Sequence, residues 1–333
     1  MPLSRRHENV MVNEIVTLSD VYRAQRNIVS LARNTPTLPS HTLSELCGSP
    51  VYLKLETMQD LGAFKIRGAT NRIANLSADE KTRGVITVST GNHGRAVAHV
   101  AHHYRIPVII YLSKMVPKNK VTAIENLGAT VKVYGNSQDE AQKEAERLAQ
   151  EDNLTFVNPF DDPWVIAGQG TIGLELLESV PKIRTAVIPI GGGGLISGIS
   201  LALKAFSKDI HIVGVSMERG AAMIESQIAG SPVIVEEVET LADCLGGGIG
   251  LDNRYTFSMV EKLVDEFIVV SEVQIAAAMA HMYHHDRMIV EGGGAVGVAA
   301  LLHGLIPNLI GPTVVVLSGN NVDMDLFSQV VNG

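Results

Sequence analysis

The chain has 333 residues, 46% of them hydrophobic and 19% charged, with 31 glycines and one tryptophan. This composition excludes disorder, collagen and coiled coil, and suits about two domains of roughly 150 residues each. Its 27 lysines and arginines against 35 acidic residues leave a net charge of −8, and no basic run interleaved with aromatics is present, so nucleic acid is not an expected partner. Residues 1–10 carry Arg5, Arg6, His7 and Glu8 with no apolar segment after them, and no stretch reaches the about 20 apolar residues that span a bilayer, so no membrane is expected. The two cysteines, Cys47 and Cys244, match no zinc or redox spacing, which fits a reducing cytoplasm.

In chain order, short β-branched runs at residues 51–55, 85–89, 108–112, 130–134, 186–190, 210–215, 267–270 and 313–317 read as strands. Several are apolar throughout, as strands buried on both faces of a parallel sheet are. Helix-like segments lie between them: Ser137 with Glu140 forms a capping box before a charged helix to about Gln150, and Ser271 with Gln274 forms another before an Ala-rich run to Met288. Strand and helix alternating in this way predict an α/β fold. No repeat or Pro/Ser linker appears, so a second domain is expected as an insertion.

Four segments at the predicted strand ends carry chemistry, where open α/β sheets bind ligands. Residues 62–69 set Lys65 between Phe64 and Ile66; a lysine in an apolar pocket becomes a neutral amine able to form a Schiff base, while the plainer alternative is a side chain that snorkels to water. Ser89, Thr90, Gly91, Asn92 and His93 place hydroxyls and amides at a helix start, suited to a carboxylate, although Asn92 or Thr90 could equally cap the helix. Gly191, Gly192, Gly193 and Gly194 follow a strand and precede a helix, a loop whose N–H groups can converge on a phosphate; the alternative is a flexible turn. It is neither a good G-x-G-x-x-G fingerprint nor a P-loop, although Glu218 follows the next strand where a ribose-binding acid would lie. Ser318, Asn320 and Asn321 close the last strand.

Taken in this order across nearly the whole chain, the four segments resemble the serine/threonine dehydratase and serine racemase family, pyridoxal-phosphate enzymes of fold type II. Residues 216–223 and 246–253 resemble the hydroxyectoine-utilisation dehydratases within it. The resemblance implies a tryptophan synthase β-like fold of two open, twisted, mostly parallel sheets flanked by helices. A small domain at 87–156 would be inserted in a large one at 10–86 and 157–333. Lys65 matches the lysine that holds pyridoxal 5'-phosphate, Phe64 lies beside its ring and Asn92 at its ring hydroxyl. The tetraglycine loop matches the phosphate site and Ser318 the partner of the pyridine nitrogen, while Ser89, Thr90 and His93 lie where the substrate carboxylate binds.

The activity implied is elimination of the β-hydroxyl of a threonine- or serine-like amino acid to a 2-oxo acid and ammonia, by a cytoplasmic homodimer. Cys244 stands where the family usually has glycine and would narrow the substrate pocket; Thr90 stands at the racemase's second base. The family's cation-binding carboxylates align near Ser216 and Ala222, so no metal is expected. His281, His284 and His285 share a predicted helix and read as surface or subunit-facing residues rather than a metal site, and Glu291 with Gly292, Gly293 and Gly294 resembles the family's segment near the cofactor, although a charge at a helix N-terminus is a sufficient reading. Two rival readings are a NAD-dependent oxidoreductase, which leaves Lys65 and Asn92 unexplained, and a catalytically silent pyridoxal-phosphate-binding protein.

Overall fold

The computed structural model describes residues 16–333 apart from 90, 115, 117, 137 and 308. Residues 1–10, Thr90 and Ser137, each given a reading above, therefore lie outside the described residues, as does the start of the expected large domain. Among the described residues ten strands form: β1 Thr37–Pro39, β2 Val51–Leu55, β3 Val85–Val88, β4 Val108–Leu112, β5 Thr130–Val133, β6 Thr155–Phe156, β7 Thr185–Pro189, β8 His211–Met217, β9 Glu266–Val270 and β10 Thr313–Leu317. They build a six-stranded sheet ordered β1-β2-β10-β7-β8-β9 and a four-stranded sheet ordered β5-β4-β3-β6. Every pairing is parallel except β1 with β2.

The apolar runs become central strands because both faces of the larger sheet are covered. On β10, Val314 and Val316 pack into one core with Ile196, Ile199 and Leu203, while Val315 and Leu317 pack into the opposite one with Val296 and Ala299. This is the two-residue strand period read on a fully buried strand, each such side chain contributing about 1.5–3 kcal/mol by leaving water. The smaller sheet lies in the chain between β2 and β7, and its first strand runs whole from Val85 to Val88. The expected boundary between residues 86 and 87 divides that strand; the ladder pairing Val85 through Val88 with Val108 through Tyr111 puts all four residues in the smaller sheet.

The helix Lys65–Ala74 starts on the lysine singled out in the sequence. It crosses the helix Pro163–Ser179 where Gly68 and Gly168 face each other: a Cβ on Gly168 would lie 2.7 Å from the Gly68 Cα, so only glycine allows this approach. Four buried charges lock the crossing. The Arg67 guanidinium donates to Glu56 at 2.8 Å and to Glu175 at 2.6 Å, and Lys54 on β2 donates to Glu175 at 2.5 Å, with the arginine, the lysine and Glu56 wholly buried. Two cations facing two carboxylates satisfy one another, which a lone buried charge could not.

Farther along, Ser271 caps the helix Glu272–His281 as expected, but the helix passes into one π turn over Met282–Asp286. There His281 and His285 stack at 4.6 Å and His284 bonds the Val331 carbonyl at 2.9 Å. Among the described residues, no helix is long and apolar enough to cross a membrane, and no group of His, Cys, Asp or Glu is arranged to hold a metal ion.

Candidate active site

The segments picked out in the sequence converge beyond the carboxyl ends of β2, β3, β6, β7 and β10. Ala63 bridges Gly319, the Phe64 N–H donates to the Ser318 carbonyl at 3.1 Å and the Asn320 N–H to that of Gly62 at 2.9 Å, so the lysine and serine segments run side by side. Asn321 donates through Nδ2 to the Leu61 carbonyl at 2.7 Å and to Asn92 Oδ1 at 2.6 Å, tying in the segment after β3. The Lys65 ammonium donates to the Pro159 carbonyl at 2.8 Å, beyond β6. The tetraglycine loop packs against the next residue, Phe160: a Cβ on Gly192 would lie 2.3 Å from that ring. Gly193, at the helix N-terminus, takes a φ of +88° that favours glycine.

Lys65 is half-buried and Cys244 exposed, although protein groups crowd around both side chains. Burial pushes the Lys65 amine down to about 8, with the neighbouring Cys244 and Glu291 opposing the fall. Its nitrogen lies 5.3 Å from the Phe64 ring centre. Burial, with Asp243 adding repulsion, pushes Glu291 up to about 7 against hydrogen bonds from Asn92, Cys244 and the Asn321 N–H. The Cys244 thiol is pushed up by burial and by the same two carboxylates, so it stays protonated. His93 is driven down to about 3 by burial and by the charge of Lys65, and its ring is neutral.

Asn92 is buried, with its Nδ2 donating to Glu291 Oε1 at 2.8 Å. Ser318 is 2% exposed and its hydroxyl has no hydrogen-bond partner among the described residues. Ser89 is half-buried, with its Oγ accepting from the Gly91 N–H at 3.3 Å; Thr90 is not described. His93 Nε2 meets the Val157 carbonyl at 3.0 Å. A carbonyl only accepts, so Nε2 carries the hydrogen and Nδ1, which has no partner, is an acceptor. The imidazole is therefore no donor to a carboxylate, and any such contact falls to the N–H groups that open the helix Asn92–Tyr104. Ser216 is buried against Met217, Ala222 offers no ligand and Glu218 is exposed.

Sequence reasoning missed how much of this site is polar. Glu291 does stand at the N-terminus of the helix Gly292–Leu302, as read, and its carboxyl also accepts from Asn92 and lies 3.6 Å from the Cys244 sulfur. Arg95, which gave no signal, donates to Asn321 Oδ1 at 2.8 Å. The chemistry of the donor set fits a phosphorylated, aldehyde-bearing aromatic cofactor. The N–H groups of Gly191, Gly192 and Gly193 meet no acceptor among the described residues, suiting a phosphate. One Asn92 hydrogen and the Ser318 hydroxyl are likewise uncommitted beside an amine held near neutrality.

Residues 28–319 match the family described as pyridoxal-phosphate dependent enzyme. A protein of Sinorhizobium fredii is 48% identical over 324 residues, covering 97% of this chain and 98% of its own. An L-threonine ammonia-lyase of Thermotoga maritima is 42% identical over 319 residues, 96% of this chain and 79% of its own. Maize serine racemase superposes with a TM-score of 0.89 at 33% identity, over 95% of this chain and 97% of that one.

Proposed function

The chain belongs to the pyridoxal-phosphate-dependent enzymes, fold type II, and on that premise we propose that it is an ammonia-lyase which removes the β-hydroxyl of a hydroxy amino acid, giving a 2-oxo acid and ammonia. The observation that carries this reading is Lys65: a closely surrounded, half-buried amine held near neutrality where the tetraglycine loop, Asn92 and Ser318 converge. When bound, the cofactor supplies the electron sink that lets negative charge develop at the substrate α-carbon. The N–H groups of residues 191–194 would hold its phosphate, Phe64 its ring face, Asn92 its ring hydroxyl and Ser318 its ring nitrogen.

With its amine near pH 8 rather than above 10, Lys65 carries a useful neutral fraction at physiological pH. With the cofactor and substrate bound, Nζ would take the α-proton and could return it to the departing hydroxyl. Ser318 is neutral and cannot fix a proton on a ring nitrogen as a carboxylate would, which favours loss of the hydroxyl over return of the α-proton. Ser89 and the N–H groups at the start of the helix Asn92–Tyr104 orient the substrate carboxylate, with Thr90 beside them in the chain. Water leaves at elimination and is consumed when the released enamine hydrolyses. The net change is therefore amino acid to 2-oxo acid plus ammonia.

Cys244 and the likeness of residues 216–223 and 246–253 to hydroxyectoine-utilisation dehydratases support a larger β-hydroxy or diamino acid of hydroxyectoine catabolism as the preferred substrate. The same reading takes the enzyme as a cytoplasmic homodimer, in keeping with its two free thiols. A nicotinamide enzyme would leave the placement of Lys65 and Asn92 without purpose. The test is a panel of threonine, serine and larger hydroxy and diamino acids on purified holoenzyme, following 2-oxo acid and ammonia, with Cys244→Gly in parallel. Absence of ammonia from every hydroxy amino acid would overturn the activity. Turnover of threonine and serine alone, unchanged in Cys244→Gly, would overturn the substrate assignment.

A further inference from the structure

Four side chains from three separate segments form a hydrogen-bond chain that runs in one direction. Arg95 NH1 donates to Asn321 Oδ1 at 2.8 Å, Asn321 Nδ2 to Asn92 Oδ1 at 2.6 Å, and Asn92 Nδ2 to Glu291 Oε1 at 2.8 Å. A guanidinium can only donate and an ionised carboxylate can only accept, so the two ends fix which way both amides between them face. Asn321 is pinned again by its bond to the Leu61 carbonyl, another pure acceptor. The amide nitrogen of Asn92 is thereby committed to the Glu291 side, where Cys244 also approaches, and its second hydrogen has no acceptor among the described residues.

We propose that Glu291 is a positioning residue: by accepting from one hydrogen of the Asn92 amide nitrogen, it holds the other available to an acceptor oxygen of the bound cofactor. This rests on the pyridoxal-phosphate reading of the site and extends it to a residue that makes no cofactor contact of its own. Without the carboxylate, Asn321 still holds the Asn92 oxygen, but the nitrogen end of the amide loses its one fixed partner, so the amide plane swings about that single bond and its free hydrogen no longer stays aimed at the ligand. The buried Glu291 carboxyl, 4% exposed, has the rigidity this task needs, since its Oε1 takes the Asn92 bond while the Asn321 N–H also binds the carboxyl.

The test is a double-mutant cycle read on cofactor affinity, titrating apoprotein with pyridoxal phosphate and following visible absorbance. Asn92→Ala and Glu291→Ala should each weaken binding about tenfold or more, the scale of a hydrogen bond to a charged group. The double variant should be no weaker than Asn92→Ala alone, because Glu291 acts only through Asn92. Gly319→Ala gives an independent perturbation if Glu291→Ala folds poorly: its new Cβ would lie 2.2 Å from Glu291 Oε1 and displace the carboxyl with its charge intact. It should weaken binding in the wild-type background and leave the Asn92→Ala background unchanged. Multiplicative losses in either cycle would refute the positioning role alone. An Asn92→Ala apoprotein with unchanged affinity would refute the placement of Asn92 at the cofactor, and this inference with it.

Discussion

Replacing Glu291 by glutamine in the apoprotein should stabilise it in a way that depends on pH. The carboxyl is raised from an ordinary 4.5 to about 7 by burial and by Asp243. At about 1.4 kcal/mol per unit, keeping it ionised above pH 7 costs the fold about 3 kcal/mol relative to an exposed glutamate. For an acid whose folded-state value is raised, the penalty is absent below the unfolded value and grows as pH rises to the folded one, so the window is pH 4.5 to 7. Glutamine has no such titration. It does set an amide nitrogen against the Asn321 N–H or Asn92, a loss of about 1 kcal/mol that is the same at every pH. The melting temperature of Glu291→Gln relative to wild type should therefore rise between pH 5 and pH 8 by about 4 °C, taking an unfolding entropy of about 2.1 cal/mol/K per residue. Scanning calorimetry of both apoproteins across that range checks it. A melting difference that is the same at pH 5 and pH 8 would mean that Glu291 is not held in a dry site, and the electrostatic account of the cleft would be wrong.

Lys65→Ala should abolish the borohydride-sensitive visible band of the holoenzyme and lower turnover by about three orders of magnitude or more, since one group is both anchor and base; a retained band with near-normal activity would remove Lys65 from the mechanism. In wild-type apoprotein, the rate of cofactor capture should climb up to about pH 8 and then level off, whereas an ordinary lysine would keep it climbing toward pH 10. Arg67→Met strands Glu56 and Glu175 with only Lys54 between them, and urea unfolding should register a loss of about 3–5 kcal/mol; a loss under 1 kcal/mol would show the network to be incidental. Ser318→Asp, with cofactor occupancy verified, should raise the ratio of α-hydrogen exchange to elimination, followed by deuterium incorporation. An unchanged ratio would show that Ser318 does not control the ring nitrogen.

The sequence by itself determined the α/β class, the positions of eight of the strands and the four segments that meet at the site. Strands such as 313–317 announce themselves because a strand buried on both faces must be apolar along its length. Lys65 and the tetraglycine loop are legible because their local neighbours, Phe64 and Ile66 in one case and consecutive glycines in the other, already encode an apolar pocket and a side-chain-free turn. β1 and β6, only three and two residues long, escape notice because such lengths contain no period to read.

The tertiary structure alone decided which charges are buried and what they face. Lys54, Glu56, Arg67 and Glu175 give no signal of their role in the sequence; their partners lie up to 121 positions away, and only the crossing of the helices at Gly68 and Gly168 brings them together. Glu291 is legible as a helix-end charge, but that its carboxyl faces Asn92, 199 positions earlier, is set only by folding. That the Val157 carbonyl takes the Nε2 hydrogen of His93, 64 positions earlier, is likewise set only by folding. A strand's burial is written in its own composition, but the desolvation and pairing of a charge are set by atoms distant in the chain, and no local pattern records them.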